Sequence, residues 1–346
     1  MLVLAAVAAA LVPWPPSLVE RWVALYHRWQ PAVTAASNLV PFAVLDALIA
    51  GAAIAVAATW AKHLRRAERG RRLSAAGAAL GSTATLFAVL LLWFLAGWGL
   101  HYRQLPVERR FDIERSRVDA AAVERLAGRA VGELNRLVTE ARAHETSTLA
   151  ELALKLRPAF AATLPDVGIA VPVEAGLPKK TMLAPFFRWA SIAGLTDPFF
   201  LEVMVTPEAL PLERPAILAH EWSHLAGFAR ESEASFVAFL ACQRGDPATQ
   251  YSGWFDLFVR ARAQLAPEAR AAVDARVSAA VRADIRAVAE RLRRAVPAVR
   301  DAAWRGYDTY LRTQRVERGL ADYDEVVMLV AGARFNPGWV PRPRRQ

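Results

Sequence analysis

Cysteine is almost absent from this 346-residue chain, with Cys242 its single example. One thiol cannot form an intramolecular disulfide, and every thiolate-rich zinc arrangement is excluded. A metal, if there is one, must be held by histidine and carboxylate. Histidine is scarce as well: His27, His63, His101, His144, His220 and His224 are all there are. The chain also lacks a Gly-rich phosphate loop, zinc-finger spacing and any aromatic-plus-basic cluster. These absences matter because the net charge is +10, a balance that can point to nucleic acid. Here the positive charge is arginine scattered along alanine-rich stretches beside glutamate and aspartate. No nucleic-acid partner is expected.

Apolar residues are abundant. They make up 55% of the chain, and mean hydropathy is positive. The length allows one large domain or two small ones. High apolarity beside high charge implies segregation of greasy and charged segments, as in a membrane protein.

Three apolar stretches occupy the first hundred residues. MLVLAAVAAALVPWP, residues 1–15, is short for a span, which needs roughly 20 residues. It has no basic n-region, and PWPP follows in place of a small-residue cleavage site. A short or tilted span fits it better than a cleaved signal peptide. The second stretch, 38–60, is interrupted by Asp46, and the third covers 75–102. Both are long enough to cross a bilayer and end in Trp or Tyr, as interface anchors do. Between them lies AKHLRRAERGRRLS, with Lys62, Arg65, Arg66, Arg69, Arg71 and Arg72. The positive-inside rule puts this connector in the cytoplasm and the chain after about His101 outside it. The expectation is a multi-pass protein of the cell membrane. Residues 1–104 form its membrane region, and 105–346 form an extracytoplasmic domain.

In that second part, charges alternate with Ala, Leu and Val at helical spacing. Residues 117–145 and 267–296 each read as a long amphipathic helix. Between them, 167–211 is rich in Gly, Pro, Phe and Val. LEVMVT, 201–206, is its best strand. The expected fold is mainly α with a small β element.

Directly after that strand comes LAHEWSHLAGFARESEA, 218–234. PAILAHEWSHLAGF starts with a proline suited to a first helical turn and meets Gly227 where a helix can end. Residues four apart on a helix face the same way, so His220 and His224 offer two imidazoles to one point, with Glu221 beside them. This is the HExxH arrangement of metalloproteases. Zinc lowers the pKa of its bound water to around 7, and a carboxylate such as Glu221 can take the proton. The bland alternative is a helix with two satisfied or exposed histidines. A third ligand is needed. Arg230 stands where metzincins have their third histidine, which turns attention to Glu231 and Glu233. The run Glu231-Ser232-Glu233-Ala234-Ser235 resembles the second helix of glutamate-ligand zinc peptidases. There a small residue lets the helices approach and a polar one supports a ligand histidine. That frame selects Glu231 over Glu233. LEVMVT is either the strand that holds a substrate by β-pairing or an ordinary core strand. Tyr251, Tyr307, Tyr310 and Tyr323 are the candidates for stabilising an oxyanion.

Four segments together resemble an uncharacterised bacterial membrane-protein family. They are WGLHYRQLP (98–106), HEWSHLAGFARESEASFVAFLAC (220–242), YSGWF (251–255) and YDTYLRTQRVERGLADYDEVVMLV (307–330). His101 and Ser235 replace asparagines usual in that family. The second replacement touches the group expected to support a ligand histidine. The resemblance implies a zincin-like, gluzincin-like metallopeptidase domain behind N-terminal spanning helices. The expected site is Zn2+ on His220, His224 and Glu231, with Glu221 as general base. The expected partners are the lipid bilayer and a peptide or protein substrate. Two rivals stay open: a non-catalytic protein with a structural or ligand-binding metal, and a zinc amidase acting on cell-wall peptides.

Overall fold

The computed structural model describes residues 1–65, 67, 71–145 and 148–344. Arg66 and Arg69 of the basic connector lie outside the described residues. The architecture is mainly helical with small sheets.

Helices α1 (Leu2–Leu11), α2 (Pro16–Asn38), α3 (Val44–Arg65) and α4 (Arg72–Gly97) come first. Among the described residues, α3 and α4 are long and apolar enough to cross a membrane. The count is three if α1 and α2, bent by 111° at the PWPP break, are taken as one span. At about 1.5 Å per residue, the ten residues of α1 rise only half a hydrocarbon core. The backbone of α1 is held by two arginines from distant parts of the sequence. Arg103 donates to Ala10 O at 2.6 Å and Arg315 to Leu11 O at 3.0 Å.

Helix α2 belongs to the later part of the chain by packing. Tyr26 Oη donates to Leu225 O at 2.9 Å, Gln30 Nε2 to Glu174 O at 2.9 Å and Thr34 Oγ1 to Leu201 O at 3.2 Å. Tyr26, Gln30 and Thr34 are fully buried. A polar side chain is buried only where it finds a partner. The mixed composition of α2 therefore suits a helix set against the domain.

The start of α3 is tied to the same domain. The apolar helix begins at Val44 and not at residue 38, so Asp46 sits in its first turn and not within the apolar run. Asp46 accepts from Thr181 Oγ1 (2.7 Å) and Met182 N (2.8 Å). The free amides of Val44 and Leu45 donate to the carboxylate of Glu202, each at 3.0 Å. Lys179 lies against Glu202 and donates to Ser37 Oγ at 2.9 Å. Lys179 and Glu202 are both buried.

After α4 comes the short α5 (Val107–Arg110), then α6 (Ala120–Ala143) and α7 (Leu149–Thr163). Asp119 caps α6 by accepting from Ala122 N. The helix buries Val123, Leu126, Val131, Leu134 and Leu137 in one stripe, the 3.6-residue period read from its sequence. Strands β1 (Pro178–Lys179), β2 (Gly194–Thr196) and β3 (Val203–Val205) flank α8 (Ala184–Ala190) in sequence. β3 is the centre of this sheet, parallel to β1 and antiparallel to β2. Both of its edges are therefore taken, so LEVMVT is a core strand and cannot pair with a substrate.

The remaining helices are α9 (Arg214–Leu225), α10 (Glu231–Cys242), α11 (Pro247–Ala263), α12 (Pro267–Ala275), α13 (Ala279–Leu292), α14 (Pro297–Thr313) and α15 (Glu325–Gly332). A hairpin of β4 (Phe335–Asn336) and β5 (Val340–Pro341) follows. The single helix expected over 267–296 is broken. Ser278 leaves the helical conformation and caps α13 through Val281 N, the local competition that favours serine at helix starts. α10 is buried along its whole length between its neighbours, and Trp222, Trp254, Phe160 and Phe236 fill the core around it. Each such side chain contributes about 1.5–3 kcal/mol on burial.

Glu202→Ala should strand a buried ammonium and uncap α3. A loss of about 3–5 kcal/mol is expected, read as a lower melting temperature of the full chain in detergent. The double change Lys179→Met with Glu202→Leu should lose much less than the single one.

Candidate metal centre

α9 carries His220, Glu221 and His224 and stops at Gly227, whose φ of +93° lies in the left-handed region. A side chain there would be strained and would also crowd the ring of His101, 3.2 Å from a Cβ. The turn sends the chain back along α9 as α10. Ala234, fully buried, keeps the α10 side of that contact small, as its place in the ExxA frame requires. Asp322 holds the first turn of α10, accepting from Ser232 N (3.0 Å) and Ser232 Oγ (3.1 Å). This fixes Glu231, the first residue of α10, over the histidine face of α9.

His220, His224 and Glu231 converge. Glu231 Oε2 is 3.0 Å from His220 Nε2 and 3.5 Å from His224 Nε2. One ligand atom from each of the three lies within 4.8 Å of the others, a group that can hold a metal ion. The outer ring nitrogens are occupied as metal-binding histidines require. His224 Nδ1 lies 2.7 Å from Phe228 O, and His220 Nδ1 lies 3.1 Å from Ser235 Oγ. A carbonyl only accepts, so in a neutral His224 the proton sits on Nδ1 and Nε2 keeps its lone pair. Ser235 thus reaches the ligand histidine, although it is shorter than the asparagine of the family pattern.

Glu233, the alternative ligand, points elsewhere. Its Oε1 accepts from Val107 N at 3.0 Å, with Arg230 at 4.0 Å. Burial pushes it up to about 7, against the pull of Arg230 and the Val107 amide. Glu231 shows the opposite behaviour. Burial alone would raise it, but the charge of His224 and bonds from both histidines hold it well below the usual carboxylate range. His224 is raised, because the Glu231 carboxylate outweighs the effect of burial.

Glu221 sits beside this group, almost wholly buried. Its Oε2 accepts from Thr196 Oγ1 at 2.7 Å. Burial raises its pKa, opposed by the two histidines and the Thr196 bond. β2 can lie this close because residue 194 is glycine, since a Cβ there would collide with the Glu221 carboxylate.

The four tyrosines separate. Tyr251 donates to Asp284 at 2.6 Å and is not among the residues lining the site. Tyr310 pairs with Tyr102 at 3.3 Å. Tyr307 Oη donates to Glu231 Oε1, and the Tyr323 ring stacks on His220 at 6.3 Å between centroids. Burial, first of all, holds both phenols well above their usual range, and the charge of Glu231 adds to it. Trp98 packs 5.1 Å from the His224 ring. Thr196, Trp98 and Asp322 were not singled out from the sequence as site residues. Trp98 and Asp322 lie in the segments WGLHYRQLP and YDTYLRTQRVERGLADYDEVVMLV that carry the family resemblance, and that shared origin was the available signal. Thr196 had none. His220, Glu221, His224, Glu231, Thr196 and Tyr307 border a cavity of about 860 Å³, a volume typical of ligand sites.

Full-length protein in detergent, loaded with a divalent metal and analysed by elemental mass spectrometry, is expected to hold about one ion per chain. Glu231→Ala, His220→Ala and His224→Ala should each abolish it, while Glu233→Ala should retain it. Ser235→Ala should weaken metal affinity by roughly 10–100-fold, measured by competition with a chelating dye.

No curated protein and no solved structure matches the chain significantly. A family model described as protein of unknown function (DUF3810) matches residues 23–331. That stretch takes in most of α2, the apolar helices α3 and α4, the HExxH helix and the tyrosines around it, and the chain belongs to this family.

Proposed function

We propose that this protein is a membrane-anchored, zinc-dependent peptidase whose gluzincin-like domain faces away from the cytoplasm. The observation that carries the reading is the convergence of two imidazole Nε2 atoms and the Glu231 carboxylate, with Glu221 at its side and open to the same cavity. Two neutral imidazoles and one carboxylate with supported outer nitrogens form a donor set suited to a catalytic zinc site. The bound ion supplies Lewis acidity toward a water and a carbonyl oxygen. The chain supplies the rest. Glu221, held by Thr196, takes a proton from the attacking water and passes it to the leaving amine. Tyr307 and Tyr323 place phenols next to Glu231, on the side where a carbonyl oxygen would gain charge.

The free edge of β2 supports a peptide substrate. Thr206 N donates to Ala193 O and Asp197 N to Glu202 O. The antiparallel alternation then turns the amides of Gly194 and Thr196 away from β3. An extended chain can add there as a further strand, passing directly in front of Glu221. A purely structural metal site would have no use for a carboxylate at that place.

The positions of the charges support this orientation. Lys62, Arg65, Arg71 and Arg72 crowd the ends of α3 and α4 remote from the metal centre, while Trp98 at the other end of α4 touches it. By the positive-inside rule, the metal centre lies on the extracytoplasmic side.

Metal-loaded full-length protein, incubated with peptides from a proteome digest, should generate new peptide termini detectable by mass spectrometry. Glu221→Gln should reduce their rate of appearance by about 10²–10⁴-fold at unchanged metal content. Wild type that holds its metal yet generates no new termini would defeat the peptidase reading.

A further inference from the structure

The catalytic cavity is walled in part by a membrane helix. Leu86 and Leu90 of α4 line an apolar groove of about 760 Å³ between α3 and α4. Phe94 and Trp98 line the catalytic cavity. These four residues recur every fourth position, so they form one stripe down one side of α4. The stripe spans about 18 Å at 1.5 Å per residue. It starts among the spanning residues and ends at Trp98, whose ring packs on His224. The opposite wall is continuous too. Pro198 borders the cavity and Phe199 borders the groove, and Trp93 packs edge-on against Phe199 at 5.6 Å. β2, with its free edge, ends two residues before Pro198. A chain laid along β2 past Thr196 therefore arrives at the upper mouth of the groove.

Resting on the peptidase reading, we propose that the substrate is an acylated peptide, with its peptide part on the β2 edge and its acyl chain in the α3–α4 groove. The groove wall is almost entirely apolar: Ala53, Val56 and Ala57 on α3 line it with Leu86, Phe87 and Leu90 on α4, and the Trp60 indole N–H is taken by Thr83. It offers nothing to a polar anchor. The neighbouring β2 edge decides between the two apolar anchors. A transmembrane helix would have to unwind before its backbone could pair with β2, whereas the peptide beyond an acyl group is free to extend. A slender hydrocarbon chain fits within the groove. The bond to be cut then lies within a few residues of the acylated position, because Trp98 marks both the end of α4 and the edge of the metal centre.

The test uses full-length protein in nanodiscs and one peptide pool in three forms: unmodified, N-palmitoylated, and fused to a transmembrane helix. The palmitoylated form should be cleaved with at least ten-fold higher kcat/KM than either of the others. Ala53→Phe with Ala57→Phe fills the groove. It should remove that advantage while leaving metal content and cleavage of the unmodified pool unchanged. Ile54→Phe, on a lipid-exposed face of the same helix, should change nothing. A second readout does not need turnover. Glu221→Gln protein is irradiated with a palmitoyl peptide carrying a diazirine in its acyl chain. Crosslinks should concentrate on the groove residues of α3 and α4 and disappear in the Ala53→Phe/Ala57→Phe variant. Equal cleavage of all three forms, preference for the helix-anchored form, or crosslinks matching those of a diazirine phospholipid would each overturn the proposal. If no pool is cleaved but the peptide crosslinks in the groove as described, the peptidase reading fails and the acyl-chain site stands.

Discussion

A carboxylate with almost no access to water dominates this structure. Glu231 is 2% exposed, and an ion in such a place must be matched by donors or cations. The surrounding chain is arranged to do that. Two histidines reach it from α9, Tyr307 reaches it from α14, and Asp322 pins the helix turn on which it sits. Gly227 supplies the reversal, and Ala234 the close approach, that bring α10 onto α9. Each of these features would be wasteful if Glu231 were a surface residue.

The parts of this arrangement that follow local rules were legible in the sequence. His220 and His224 share a face because they are four apart, and the ExxA spacing chose Glu231 over Glu233. Glu233 lies outside the cluster of His220, His224 and Glu231 for a reason no spacing reveals: the amide of Val107, 126 residues away, takes its carboxylate. The tyrosines show the same limit. Tyr307 and Tyr310 are neighbours on α14, and only the packing decides that one meets Glu231 and the other Tyr102. At the fold level, the stripe of α6 was readable from its period. The break at Ser278 and the three-residue β2 were not, because a cap and a short strand look like ordinary loop chemistry in one dimension. α2 escaped notice because its buried polar residues, Gln30 and Thr34, mimic a solvated face when their partners are out of view.

The boundary between the apolar N-terminal helices and the rest of the chain is consequently less sharp in space than in composition. Apolar content falls after α4, yet α2 lies within the domain. The first turn of α3 is capped by Glu202 and locked by Thr181 and Met182. α3 and α4 are thus rigidly framed at the end that faces the metal centre, through Glu202 on one and Trp98 on the other. Such framing keeps the cavity wall contributed by α4 in register with the histidines.

The cap on α3 also has a consequence for biosynthesis. The Val44 amide and the Glu202 carboxylate are separated by 158 residues, which at about 5–20 residues per second means roughly 8–30 s of translation. Throughout that interval α3 is already made while its amino end has no protein acceptor, and α2 has no domain to lie on. These early-made segments are therefore among the last to reach their final hydrogen bonds. The domain closes around α2 as a late, long-range event, after the chain that carries His220 and His224 has been synthesised.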